Sequence, residues 1–125
     1  FNNSINVEVK SLNYKNNYNL SISKPEDLIY EFNAQCGKNV FNIKNIKYFN
    51  SVKSFKAEIL ADDEAILKIN NEDKGKISNP CGGGIHWKEI EKEIKLSNNS
   101  MRIDLEILNR CGFECYGKLK LILKY

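Results

Sequence analysis

From Met101 to Asn109 the chain alternates without a slip. Met101, Ile103, Leu105 and Ile107 fall on one side, Arg102, Asp104 and Glu106 on the other. A period of two marks a strand with one buried face and one wet face. A second run closes the sequence, with Leu119, Leu121, Leu123 and Tyr125 turned inward and Lys118, Lys120 and Lys124 outward. Apolar faces of this kind must be covered, and the rest of the chain supplies matching pieces. Ile5, Val7 and Val9 alternate with Asn6, Glu8 and Lys10; Phe55, Ala57 and Ile59 alternate with Lys56 and Glu58; Ala65, Leu67 and Ile69 continue the pattern. Leu20 to Ser23, Leu28 to Phe32 and Val40 to Phe49 read as shorter or looser strands, the last slipping phase near Asn45. About eight short strands separated by turns predict an all-β, antiparallel β-sandwich in which the apolar sides of two sheets meet.

The connections are read from their breakers. Pro25 ends one strand because it lacks a ladder donor. Ser11 to Asn19, rich in Asn and Tyr, reads as a loop, and Asn33 to Asn39 as a loop holding Cys36 and Gly37. Asp62-Asp63-Glu64 reads as an acidic turn. Asn70 to Gly84, with Pro80 and Gly82-Gly83-Gly84, is the longest polar stretch and is expected to be a loop. Trp87 to Ile94 is either a strand or a single turn of helix.

At 125 residues the chain suits one domain, expected over 1–125, with enough interior for a core of its own. It begins with Phe1, which reads either as a chain whose signal peptide has been removed or, the preferred expectation, as a domain taken from a longer chain. No segment approaches the roughly 20 apolar residues of a membrane span. The net charge of +3 is small and its lysines are scattered among acids, which is a solvated surface and excludes nucleic acid as a partner. The abundant Asn and Lys, with Arg102 and Arg110 the only arginines, read as the composition of an A/T-rich genome. The triplets at Asn2, Asn19 and Asn98 that fit a glycosylation acceptor are expected by chance in such a chain.

Four cysteines, Cys36, Cys81, Cys111 and Cys115, predict two disulfides and an oxidising compartment: secreted, periplasmic or cell surface. Four cysteines allow three pairings; Cys36 with Cys81 and Cys111 with Cys115 is the expected one. Buried thiols are one alternative. Zinc on Cys81-x4-His86 and Cys111-x3-Cys115 is the other, and neither spacing is the tight Cys-x2-Cys knuckle.

No nucleophile elbow, phosphate loop or zinc-protease motif is present, so no catalysis is expected. His86 is the only histidine, and its neighbours Ile85 and Trp87 offer no acid–base partner. Trp87 is read first as core; the second reading is a platform for the apolar face of a sugar, kept open by the adjacent glycines, which permit close backbone approach. Asp62, Asp63 and Glu64 cannot all meet one ion from an extended segment, because neighbours alternate sides. Calcium would need Asn70, Asn71 or Asp73 as well, so no cofactor is expected and calcium stands as the alternative.

The order of features over about 54–125 resembles the galactose-binding-domain-like jelly roll. The features are Asp62-Asp63 opening a strand, Ile69-Asn70-Asn71, a polar loop, Trp87, an Ile-Lys-Leu-Ser-Asn-Asn turn, an Arg-Ile-Asp-Leu-Glu-Ile-Leu-Asn strand, a Gly-bearing loop and a Gly-Lys-Leu-Lys-Leu closing strand. The chain departs from that pattern at Asn71, where Gly is commoner, and in Cys81, Cys111 and Cys115. The resemblance implies a jelly-roll sandwich and a non-catalytic accessory module of a secreted or surface protein that binds carbohydrate or protein. It also implies a Trp packed under a loop and an acidic pair that shapes a turn. Versions with cysteines are similar to a segment of disulfide-rich bacterial surface proteins such as those that stabilise mating pairs in conjugation. The expectation is therefore a monomeric binding module that meets a glycan or protein through loops at one end, with Asp62, Asp63, Asn71, His86, Trp87 and Tyr116 as contacts and weak sites strengthened by multivalency. The alternative is an architectural spacer with no small ligand.

Overall fold

The computed structural model describes residues 2–8 and 25–125. The expected loop over 11–19 and the strand at Leu20 to Ser23 lie outside the described residues. Nine strands are described: β1 (Asn2–Glu8), β2 (Leu28–Gln35), β3 (Gly37–Lys44), β4 (Ser54–Asp62), β5 (Glu64–Ile69), β6 (Glu72–Ser78), β7 (Lys88–Glu93), β8 (Met101–Leu108) and β9 (Tyr116–Lys124). A short 3-10 turn at Phe49–Ser51 precedes β4.

The pairing shows the jelly roll directly. β2 pairs with β9, β3 with β8, β4 with β7 and β5 with β6, all antiparallel. This is one long hairpin of eight strands wound on itself. Pairings of β4 with β9 and β5 with β8 complete two facing sheets, β2-β9-β4-β7 and β1-β3-β8-β5-β6. Only β1 departs from the antiparallel pattern, running parallel to β3 at the sheet edge.

The alternation read from the sequence is what fills the space between the sheets. Phe55, Ala57 and Ile59 from β4, Met101, Ile103, Leu105 and Ile107 from β8 and Leu119, Leu121 and Leu123 from β9 are buried, as expected. Phe32 and Phe41 stack across the gap with ring centroids 4.5 Å apart. Tyr125 closes the core at one end; its hydroxyl donates to the Lys47 carbonyl, and burial pushes its pKa up to about 12.

Two connections differ from expectation. The loop expected over 33–39 is two strands joined through Cys36 alone. Buried Asn39 makes that tight turn affordable: its Oδ1 accepts from Gln35 N at 3.0 Å, and its Nδ2 donates to the carbonyls of Gln35 (2.9 Å) and Leu105 (3.1 Å). The long polar loop expected after Asn70 contains β6, an edge strand in which Ile77 is the one buried residue, so its alternation is invisible in the sequence. Asn70-Asn71 is a two-residue turn with φ of 50° and 66°. Positive φ at both positions is the geometry that matches strand twist, and Asn is one of the few residues with a side chain that tolerates it. The stretch from Trp87 follows the strand alternative: β7 runs Lys88–Glu93, and Trp87 stands just outside it.

Four connections converge at one end of the sandwich: Cys36, Asp63, the segment Asn79 to Trp87, and the segment Asn109 to Cys115. The disulfides lie there, and their pairing corrects the expected one. Cys36 bonds to Cys115 and Cys81 to Cys111, with Cα–Cα distances of 5.1 and 6.0 Å. Strand register decides this: Gln35 is opposite Tyr116, which sets Cys36 against Cys115.

Candidate functional site

The converging end is built around two buried side chains, Asp63 and Asn79. Asp63 spends its backbone and carboxylate on neighbouring segments. Its N–H donates to Leu108 O at 2.9 Å, its carbonyl accepts from Asn79 N at 2.8 Å, and its Oδ2 accepts from the N–H groups of Arg110 (2.7 Å) and Cys111 (2.8 Å). Asn79 in turn holds the loop before β7: Nδ2 donates to the carbonyls of Ala61 (2.9 Å) and His86 (3.2 Å), and Oδ1 accepts from His86 N (3.1 Å). A carboxylate that receives two amide donors and an amide that satisfies both strands of a loop are the roles these residue types suit when buried.

The acidic pair is split electrostatically. The two amide donors, then Asp62, hold the Asp63 carboxyl below the usual range. Asp62 is pushed up by its hydrogen bond to Asp63, by burial, and by the charges of Asp63 and Glu114. Separated acidities can mark an acid–base pair, but structural networks produce them too. Asp63 faces amide donors and neither carboxyl lines the groove described below, so the pair holds loops in place. The consequence is a pH dependence. A carboxyl held low in the folded state contributes stability at neutral pH that is lost as the pH falls through that lowered value. Asp63→Asn is therefore expected to flatten the acid-side decline of the melting midpoint over roughly pH 2 to 5. Asp62, raised, acts in the opposite sense, its contribution fading as pH rises through its folded value.

His86 is fixed through its backbone by Asn79, and its ring Nε2 lies 3.2 Å from Gly83 O. Among the described residues its hydrogen-bond partners are backbone groups and the Asn79 amide, with no carboxylate among them. Among the described residues, no three His, Cys, Asp or Glu side chains are grouped to hold a metal ion.

The first reading of Trp87 as core is corrected: the residue is 52% exposed. Its place follows from register. Ile59 pairs with Lys88, so Trp87 stands level with Leu60, and Leu60 pairs on its other side with Lys118, which pairs with Asn33. Trp87 thus forms one wall of a shallow groove of about 630 Å³ on the outer face of the β2-β9-β4-β7 sheet, with Glu31, Asn33, Glu58, Lys118 and Lys120 along it. Glu58 and Glu89 share Lys56 at 3.4 and 3.1 Å.

Of the expected contacts, Asp62, Asp63, His86, Trp87 and Tyr116 are at the same end, whereas Asn71 is at the opposite end, lining a hollow on the other sheet. Tyr116 shares the outward face of β9 with Lys118. Asp62 and Asp63 are buried, so they shape the end and present little surface. Sequence reasoning missed Asn39 and Asn79, which look like two more of many asparagines. It also missed Glu31, Asn33 and Glu58, outward strand positions whose meaning depends on which strands become neighbours.

No protein-family model matches the chain, and no curated protein matches it. Among solved structures it is similar to the periplasmic g-type lysozyme inhibitor PliG of Aeromonas hydrophila, with 9% identity over 99% of this chain and 100% of that one and a TM-score of 0.49. It is also similar to the C-terminal CBM6 of the laminarinase LamC from Zobellia galactanivorans, at 12% identity over 93% and 97% and a TM-score of 0.44. A third is the PA14 sugar-binding domain of an RTX adhesin, at 12% identity over 79% and 46% and a TM-score of 0.36. At these values the likeness says nothing of a ligand.

Proposed function

We propose that the chain is a non-catalytic module that binds a glycan in the groove beside Trp87, in a secreted, periplasmic or surface protein. The observation that carries this reading is the position of the single tryptophan. The residue with most to gain from burial stands half in water at the wall of a groove whose other side chains are charged or amide-bearing. An indole face accepts the apolar side of a pyranose, and Glu, Asn and Lys groups supply donors and acceptors for its hydroxyls. Two disulfides support an oxidising compartment.

Because Trp87 is the only tryptophan, its fluorescence reports this site alone. Acrylamide should quench it readily, and binding of an oligosaccharide from a glycan panel should shift it. Trp87→Ala is expected to weaken that binding by about 10-fold or more while costing under about 1 kcal/mol of stability, since large losses come from buried contacts. Absence of any response across the panel would sink this reading in favour of an architectural spacer.

A further inference from the structure

Register sets the outward side chains of the β2-β9-β4-β7 sheet in rows. One row runs Glu31, Lys120, Glu58, Glu89, so Lys120 stands between two carboxylates. Glu58 and Glu89 also share Lys56. The next row is built differently. It runs Asn33, Lys118, Leu60, and continues to Trp87, which is level with Leu60. Lys118 therefore has an amide on one side and an aliphatic side chain on the other. It is exposed, and among the described residues it forms no ion pair. Neighbouring strands lie about 4.8 Å apart, which puts the backbone of Lys118 roughly 10 Å from that of Trp87, with Leu60 between them. A lysine in water is ordinary on a protein surface. This one lines the same groove as the only tryptophan, in the same row.

On the reading of this groove as a glycan site, we infer that its ligand is acidic: a sugar ring stacks on Trp87, and a carboxylate or sulfate group of the same chain meets the Lys118 ammonium. Indole, aliphatic floor, ammonium and amide follow one another along the row, and each suits a different part of such a ligand. The apolar face of a pyranose covers the indole and runs on over Leu60. An ammonium has three donors and no acceptor, and it is a compact charge. Hydrogen bonds to an ionised oxygen are about twice as strong as those to a neutral one, so an acidic sugar uses Lys118 better than a hydroxyl does. Asn33 Nδ2, at the end of the row, adds a donor without adding charge. The acids one row away fix the orientation. Glu31 and Glu58 repel an anion and accept from hydroxyls, so the acid group is directed along the Trp87 row and hydroxyls towards the carboxylates. Glu58 is already partly neutralised by Lys56 at 3.4 Å.

The test titrates the chain with three sets of oligosaccharides and reads Trp87 fluorescence and calorimetry. The sets are uronate oligomers with their neutral methyl esters, sulfated galactan oligomers with their desulfated forms, and neutral gluco- and galacto-oligomers. An acidic oligomer is expected to bind about 10-fold or more tightly than its neutralised form, and to weaken as salt is raised. Binding in the uronate set identifies a carboxylate as the group on Lys118, and binding in the sulfated set a sulfate. Lys118→Ala should lower the affinity for the acidic oligomer about 10-fold and flatten its salt dependence, while Lys118→Arg should keep most of both. Lys120→Ala, which removes a lysine already set between carboxylates, should have the smaller effect. Neutral oligomers that bind as tightly as acidic ones and need Trp87 would overturn the acidic class and leave the groove standing as a glycan site. Unchanged acidic binding in Lys118→Ala would do the same. Acidic binding that Trp87→Ala leaves intact would place the anion elsewhere on the surface and overturn it too. Silence in all three sets would remove the glycan site itself, and this inference with it.

Discussion

Replacing Cys36 and Cys115 together by alanine is expected to remove about 4.5 kcal/mol of stability, read as a lower midpoint in urea with a steeper slope, because the unfolded chain without the bond exposes more surface. The bond closes a span of 79 residues, so its absence frees most of the unfolded chain. Removing Cys81 and Cys111, which close a span of 30, is expected to cost less, about 3.5 kcal/mol on the same loop-entropy argument. The order of the two effects is diagnostic. A bond between Cys111 and Cys115 would close a tiny loop and contribute little, so a large effect of Cys115 requires a distant partner. Peptide mapping without reduction should show the Cys36 peptide joined to that of Cys115. The second pair carries a functional consequence as well. Cys81–Cys111 ties the loop before Trp87 to the loop between β8 and β9, so its loss should also loosen the approach to the groove beside Trp87.

This pairing shows where the sequence runs out. Alternation at Phe55 to Ile59, Met101 to Ile107 and Leu119 to Leu123 fixes which side of each strand is buried, because period two is local. It does not say that β2 lies beside β9, and only that adjacency sets Cys36 against Cys115. The same limit hides the groove. Asn33, Lys118 and Trp87 are far apart in the chain, and each looks like an ordinary solvated residue until register sets them in one row. β6 was missed for a different reason. It is an edge strand carrying Glu72, Asp73 and Lys74, with one residue facing the core, so the polar face dominates its composition. Edge strands that stay charged resist pairing with other chains, which is the reason such a sequence is favoured there and the reason it reads as a loop. Asn71, expected as a contact because it lies at a loop end, is explained by backbone geometry: a two-residue turn with positive φ takes Asn where Gly would also serve.

Core and recognition surface should therefore separate under mutation. Phe41→Ala is expected to cost about 3 to 5 kcal/mol. The Phe41 ring has no exposed surface and stacks on Phe32 at 4.5 Å with planes 19° apart, joining β3 of one sheet to β2 of the other. Truncation leaves a cavity between the sheets and strips Phe32 of its partner, and packed interiors close such gaps only in part. The measurement is paired with Trp87→Ala. Phe41→Ala should lower the urea midpoint strongly while the folded fraction keeps the same affinity for a glycan that shifts Trp87 fluorescence. Trp87→Ala should do the reverse, leaving the midpoint near that of the wild type and removing glycan binding as read by calorimetry. If Trp87→Ala instead destabilised the chain as severely as Phe41→Ala, the indole would be a structural wedge, and the groove would lose the one side chain that gives it a stacking face.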